Sequence, residues 1–146
     1  MSQLPFKICG VNHVGLAPKD PVKARWFFCE VLGIGDLGAE LVSSQQTLTH
    51  MLDPVGKTPG PRFERLEILA PQDGQGPIAK FLEKKGSGIH HIALTVSDVS
   101  AAIAHCKQLG VKMVDESPRA GAHKTSIAFV HPESTGGLLV ELVQEK

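Results

Sequence analysis

Four residues of this 146-residue chain combine ligand chemistry with a repeated placement. Asn12-His13-Val14-Gly15-Leu16-Ala17, followed by Asp20, returns as His90-His91-Ile92-Ala93-Leu94-Thr95, followed by Asp98, at an offset of 78 residues (13 to 91, 24 to 102). Arg65-Leu66-Glu67-Ile68-Leu69 is answered by Leu139-Val140-Glu141-Leu142-Val143 at an offset of 74 residues (67 to 141). A single strand His or Glu ordinarily faces water or serves packing. The matching of His13 with His91 and of Glu67 with Glu141 lifts these four out of that class. Two imidazoles and two carboxylates supply mixed N and O donors, which suit a five- or six-coordinate Zn, Mn, Co, Ni or Mg-like ion with positions left for water or substrate.

The elements that must position these side chains follow from periodicity. Strand residues alternate faces, so His13, Gly15 and Ala17 share one face, opposite Val14 and Leu16, and His91, Ala93 and Thr95 oppose Ile92, Leu94 and Val96. The same parity puts Glu67 with Arg65 and Leu69, and Glu141 with Leu139 and Val143. The branched faces are expected against helices, and the small residues beside each His leave room for a ligand. Asp20 and Asp98 are N-cap residues, Pro21 suits the first helical position, and Gly33 and Gly110 suit the left-handed site just past a helix end. Val22, Trp26 and Cys29 form an i, i+4, i+7 stripe, and Val99, Ala102, Ile103 and Cys106 form another. At Leu32-Gly33 against Leu109-Gly110 the repeat offset falls to 77 residues (32 to 109).

Shorter β-like runs fall between helix and last strand: Thr47–Leu52 in the first half, Lys112–Val114 and Ser126–Val130 in the second. Turn-rich stretches at Asp53–Pro61 and Pro132–Gly137 break them, and Pro71–Pro77 is a linker before a short helix carrying Ile78, Phe81 and Leu82 and ending near Gly86. The order is βαβββ, twice: an α+β fold in one domain over residues 1–146, with modules at about 8–70 and 88–144 joined by 71–87. Modules of this size are small for independent cores, so they are expected to share one sheet. Gly33-Ile34-Gly35-Asp36-Leu37-Gly38 matches G-x-G-x-x-G but follows a helix and opens none, which excludes the dinucleotide reading.

Composition narrows the partners. Fifteen basic residues balance fifteen acidic ones, so no electrostatic footprint for nucleic acid is present. The three cysteines, Cys9, Cys29 and Cys106, show no CxxC spacing, and read as small hydrophobes in a reducing cytoplasm. The first residues carry no apolar leader and no run is long enough for a membrane span. His90 faces away from His91, His105 lies on the polar side of its helix, and His123 and His131 fall in loops. His50 lies in a strand whose register is open.

These residues identify a family. Asn12–Ala17, Leu66-Glu67-Ile68-Leu69-Ala70-Pro71, Pro77-Ile78-Ala79-Lys80-Phe81-Leu82, Gly88–Ala93, Pro118–His123, Ile127–Pro132 and Ser134-Thr135-Gly136-Gly137 through Leu142 resemble the vicinal oxygen chelate superfamily of glyoxalases, bleomycin-resistance proteins and dioxygenases. Within it they are most similar to the methylmalonyl-CoA epimerases. The resemblance implies two βαβββ modules in an open, curved mixed β-sheet barrel with helices outside, a homodimer, and one divalent ion (Co, Zn, Mn or Ni) on His13, Glu67, His91 and Glu141. Glu67 stands where some epimerases carry Gln. The implied reaction interconverts (2R)- and (2S)-methylmalonyl-CoA through a stabilised enolate, with Glu141 as a candidate base. The position for a second base falls on Thr49, whose hydroxyl is a poor base, beside His50. Arg119, Gly121 and Lys124 are candidate contacts to the CoA phosphates, and Glu133 replaces a Lys common in the family. A glyoxalase I-like lactoylglutathione lyase, or a small-molecule binder of the same fold, is the alternative.

Overall fold

The computed structural model describes residues 3–54 and 64–146, so Val55–Pro61 of the expected turn-rich stretch lie outside the described residues. Eight strands are present: β1 (Ile8–Ala17), β2 (Gly35–Val42), β3 (Thr47–Asp53), β4 (Arg65–Pro71), β5 (Gly88–Val96), β6 (Arg119–Ala120), β7 (Ser126–Val130) and β8 (Val140–Gln144). Three α-helices accompany them: α1 (Pro21–Trp26), α2 (Pro77–Lys85) and α3 (Val99–Gln108). The expected βαβββ order is present in each half. Contacts divide the chain into two units, residues 13–90, and residues 91–146 together with the N-terminal arm through Asn12.

In the unit of residues 13–90 the strand order is β2-β3-β4-β1. β1 and β4 run parallel, while β3 pairs antiparallel with both β2 and β4. The parallel step requires a crossover, which α1 and the two following strands supply. Asp20 caps α1 by accepting the Lys23 amide at 3.0 Å. The stripe on α1 does not pack as its spacing suggests: Val22 is 77% exposed and Trp26 54%, and no residue of α1 is buried. After Trp26 the chain winds into a π-helical turn, Phe27–Val31, in which the Leu32 amide reaches back five residues to the Phe27 carbonyl at 3.1 Å. Its counterpart Leu109 bonds four residues back, to His105. The fall in repeat offset is therefore one extra residue in the first-half helix, accommodated as a π-bulge.

The strand β2 was not anticipated, because Gly35, Asp36 and Gly38 mask its strand character and a register shift interrupts its pairing between Asp36 and Ala39. Helix α2 sets Ile78 against Ala17 and Leu69, with Phe81 and Leu82 beside them. By parity these two strand residues lie on the face that carries His13 and Glu67, so the connecting helix covers that face.

In the other unit the order is β5-β8-β7-β6, with β5 and β8 parallel and the remaining pairs antiparallel. Val99, Ala102 and Ile103 of α3 pack with Val96, Ala128, Val130 and Leu142, on the side opposite His91 and Glu141. Cys106 and Phe6 extend this core, and the arm is tied down by the Ser97 amide donating to the Lys7 carbonyl at 3.0 Å. Asp98 caps α3 through the Ala101 amide at 2.9 Å. Lys112–Val114 is not a strand: it contributes one bridge, Met113 to Val130, and Arg119–Ala120 supplies the edge instead. Gly33 and Gly110 take positive φ of 71° and 75°, ending the two helical segments as expected. No helix among the described residues is long and apolar enough to cross a membrane.

The unequal burial of the two repeat helices has a measurable consequence. Ile103→Ala is expected to cost about 2–5 kcal/mol in urea unfolding, whereas Val22→Ala stays within about 0.5 kcal/mol.

Candidate active site

Within residues 13–90, the parallel register sets His13 beside Arg65 and Gly15 beside Glu67. Paired strand residues project to the same face, so the His13 imidazole and the Glu67 carboxylate meet across the gap left by Gly15, Nε2 to Oε2 at 3.2 Å. Both are buried. The antiparallel pairing of β3 adds Met51 beside Glu67 and Thr49 beside Leu69. Asp53 and Arg65, also buried, form an ion pair at 3.6 Å.

The second unit repeats the device. Ala93 pairs with Glu141, and His91 Nε2 lies 3.1 Å from Glu141 Oε2, again with both residues buried. Phe129 pairs with Glu141 from β7, and its ring stands edge-on to the His91 imidazole at 5.5 Å. Ile127, Val143 and Ala93 complete a small apolar cluster around this pair. Arg119 lies over the other ring of this arrangement, its guanidinium 5.5 Å from the Phe129 centroid, while its Nε donates to Asp115 at 2.8 Å. Asp115 in turn accepts the Phe129 amide. Gly121 is held by packing: a Cβ there would stand 2.6 Å from the Ile127 side chain, and its amide donates to the Thr125 carbonyl. Lys124 is exposed and has a positive φ of 61°.

The donor chemistry of each pair fits a cation. Donors about 2.1 Å from one ion and at right angles to each other are about 3 Å apart, using typical metal–N and metal–O lengths, and the two His–Glu separations match that spacing. A buried carboxylate and imidazole also need a partner to offset their lost hydration, which a divalent ion provides.

The remaining histidines fall elsewhere. β3 alternates, so Thr49 shares the face of Glu67 while His50 points to the other side, where its Nδ1 lies 3.7 Å from Asp36. His90 meets the Phe81 ring edge-on and His105 meets Phe6. His131 caps the turn at Glu133. Cys9 is exposed, contrary to its reading as a packed hydrophobe, while burial raises the thiol pKa of both Cys29 and Cys106. The missed strand β2 hides a further carboxylate. Glu40 pairs with Thr49 and is thereby placed on the face of Glu67.

Comparison with known proteins agrees with this architecture. A family model described as the glyoxalase/bleomycin resistance protein/dioxygenase superfamily matches residues 12–129. The chain belongs to that superfamily, and its fold is the glyoxalase-like one. More narrowly, it is homologous to methylmalonyl-CoA epimerases. It is 33% identical to the mitochondrial methylmalonyl-CoA epimerase of Bos taurus over 92% of this chain and 73% of that protein. It is 34% identical to the ethylmalonyl-CoA/methylmalonyl-CoA epimerase of Cereibacter sphaeroides over 92% and 96% of the two chains. A solved methylmalonyl-CoA epimerase in complex with methylmalonyl-CoA and NH4+ superposes with a TM-score of 0.86 at 29% identity, covering 95% of this chain and 96% of that one.

The carboxylate that His50 faces on the side away from Glu67, Asp36, sets an acid dependence. Burial works against ionisation of Asp36, but the Gly38 amide and the Arg25 guanidinium outweigh it and hold the carboxyl below its ordinary value. A carboxyl depressed in the folded state stabilises the protein above its unfolded pKa of about 3.9 and loses that contribution as pH falls through the lower folded value. Asp36→Asn should therefore lose about 0.3–1 kcal/mol at pH 7. Urea midpoints of parent and variant should converge once the pH drops below the folded pKa.

Proposed function

We propose that this protein is a methylmalonyl-CoA epimerase that interconverts the (2R) and (2S) thioesters, with one divalent ion (Co, Zn, Mn or Ni) held by His13, Glu67, His91 and Glu141. The observation that carries the reading is the buried His–Glu pair built twice, once in each half, in a chain homologous to named epimerases over nine-tenths of its length. His13, His91 and Glu141 are also a group that could hold a metal ion. A bound divalent cation supplies a Lewis acid for oxygens that gain charge as a proton leaves the neighbouring carbon.

The chain's own residues do the rest. The hydrogen between a thioester and a carboxylate is weakly acidic, and a positioned carboxylate is a competent base for it. Glu141 takes that role: it is buried, oriented by His91, and bordered by Phe129 and Ala93, whose apolar surfaces exclude competing water. Arg119 and Lys124 carry positive charge for the CoA phosphates, and Gly121 lets the chain turn closely over Ile127 between them. The active assembly is a cytoplasmic homodimer.

The test is exchange at C2. Metal-loaded protein incubated with (2R)-methylmalonyl-CoA in D2O should incorporate deuterium at C2 and produce the (2S) epimer. Exchange no faster than in the chelator-stripped protein would overturn the reading. Glu141→Gln should lower the exchange rate by about 10²–10⁴-fold, and Glu67→Ala should reduce metal content in elemental analysis.

A further inference from the structure

We propose that Asp115 is a positioning residue for the His91–Glu141 pair, acting through Arg119 and the Phe129 ring. Its kinetic consequence rests on the epimerase reading, and every contact involved lies within the unit containing residues 91–146.

The two oxygens of this carboxylate have different partners. The β6 ladder reaches Ser126 and Ile127 of β7, and the isolated bridge from Met113 reaches Val130. Phe129 falls between them. Its amide donates to Asp115 Oδ2 at 2.8 Å, while its carbonyl accepts the Val114 amide at 2.9 Å. A buried amide at a gap in a sheet edge requires such an acceptor, and a neutral side-chain oxygen would serve it as well.

The other oxygen takes no part in that edge. Asp115 Oδ1 accepts Arg119 Nε at 2.8 Å, in a pair whose carboxylate side chain is 14% exposed and whose guanidinium side chain is 31% exposed. A charge-assisted bond at Nε orients the planar guanidinium, whose central carbon lies 5.5 Å from the Phe129 centroid. That is within the roughly 6 Å over which a cation is drawn to an aromatic ring. The same ring meets the His91 imidazole at 5.5 Å with an interplanar angle of 85°, and the Phe129 main chain pairs with Glu141. One carboxylate thereby fixes both the backbone and the ring of the residue that borders His91 and Glu141.

His91 keeps Nε2 at 3.1 Å from Glu141 Oε2, an alignment that depends on what stops the imidazole from turning. Phe129, itself buried, supplies a perpendicular neighbour. Misplacing a reacting group by about 1 Å costs on the order of 10²-fold in rate. A Phe129 ring that is loosened but still present should therefore lower turnover and leave substrate binding in place.

Asp115→Asn separates the two bonds, because its amide oxygen still accepts from Phe129 while the charge that holds Arg119 is gone. In the D2O exchange assay this variant should show kcat lowered about tenfold with KM within about threefold of the parent. Arg119→Lys keeps a positive charge but not the planar fork, and should lower kcat to a similar extent. The double variant should fall within about twofold of the slower single variant, because both changes break one linkage. In chelator-stripped protein without substrate, the His91 ring-proton NMR signals should move in both single variants. They should stay in place in Glu116→Gln, which removes only the neighbouring surface pair with Lys107. Parental kcat with unmoved His91 signals in Asp115→Asn would overturn the assignment, as would a raised KM at parental kcat or additive losses in the double variant. Should Asp115→Asn fail to fold, Arg119→Lys decides the matter through kcat and the same signals. Absence of exchange in the parent would overturn the epimerase reading instead, and the His91 signals would still decide the positioning role.

Discussion

The structure depends on the pairing of an imidazole with a carboxylate across two adjacent parallel strands. An ionisable group buried without a partner costs several kcal/mol, and part of that cost is met within each pair, His13 against Glu67 and His91 against Glu141. The parallel registers that create these pairs are themselves demanding. They require a crossover, and they require Gly15 or Ala93 beside the glutamate so that the two side chains can meet over a small residue. Much of the sequence between each His and its Glu can be understood as the means of bringing one strand back alongside the other in that register.

Parity made the metal-ligand candidates legible before any coordinates. Alternation along a strand is a local property, and the repeat supplied the second copy that separated these residues from ordinary polar strand positions. The helix ends were equally local, written in Asp20, Asp98, Gly33 and Gly110. Glu40 escaped for a local reason too: Gly35, Asp36 and Gly38 disfavour a strand, and β2 persists because β3 pairs with it. His50 could not be placed from sequence, since its side of the sheet follows from the pairing of β3 with β4. The failure at Lys112–Val114 is of the same type, an intrinsic preference overridden by which segment reaches the β7 edge.

The two halves share a grammar but divide their packing differently. In the later unit, α3 supplies three buried side chains to a core on the side away from His91. In the earlier unit that weight falls on α2, which sets Ile78 onto Ala17 and Leu69 on the histidine side. One linker helix thus stabilises the same strands that present His13 and Glu67, whereas around His91 and Glu141 that packing comes from the strands themselves, through Ala93, Ile127, Phe129 and Val143.

The π-helical turn at Phe27–Val31 holds one residue more than the matching segment of the second half, where Leu109 bonds four residues back instead of five. A buried helix would have transmitted such a change as a rotation of every following side chain against its neighbours. A helix with Val22 and Trp26 in the open had no such neighbours to offend, so the extra residue could persist as a local bulge, and the glycine that ends the segment kept its place in the fold.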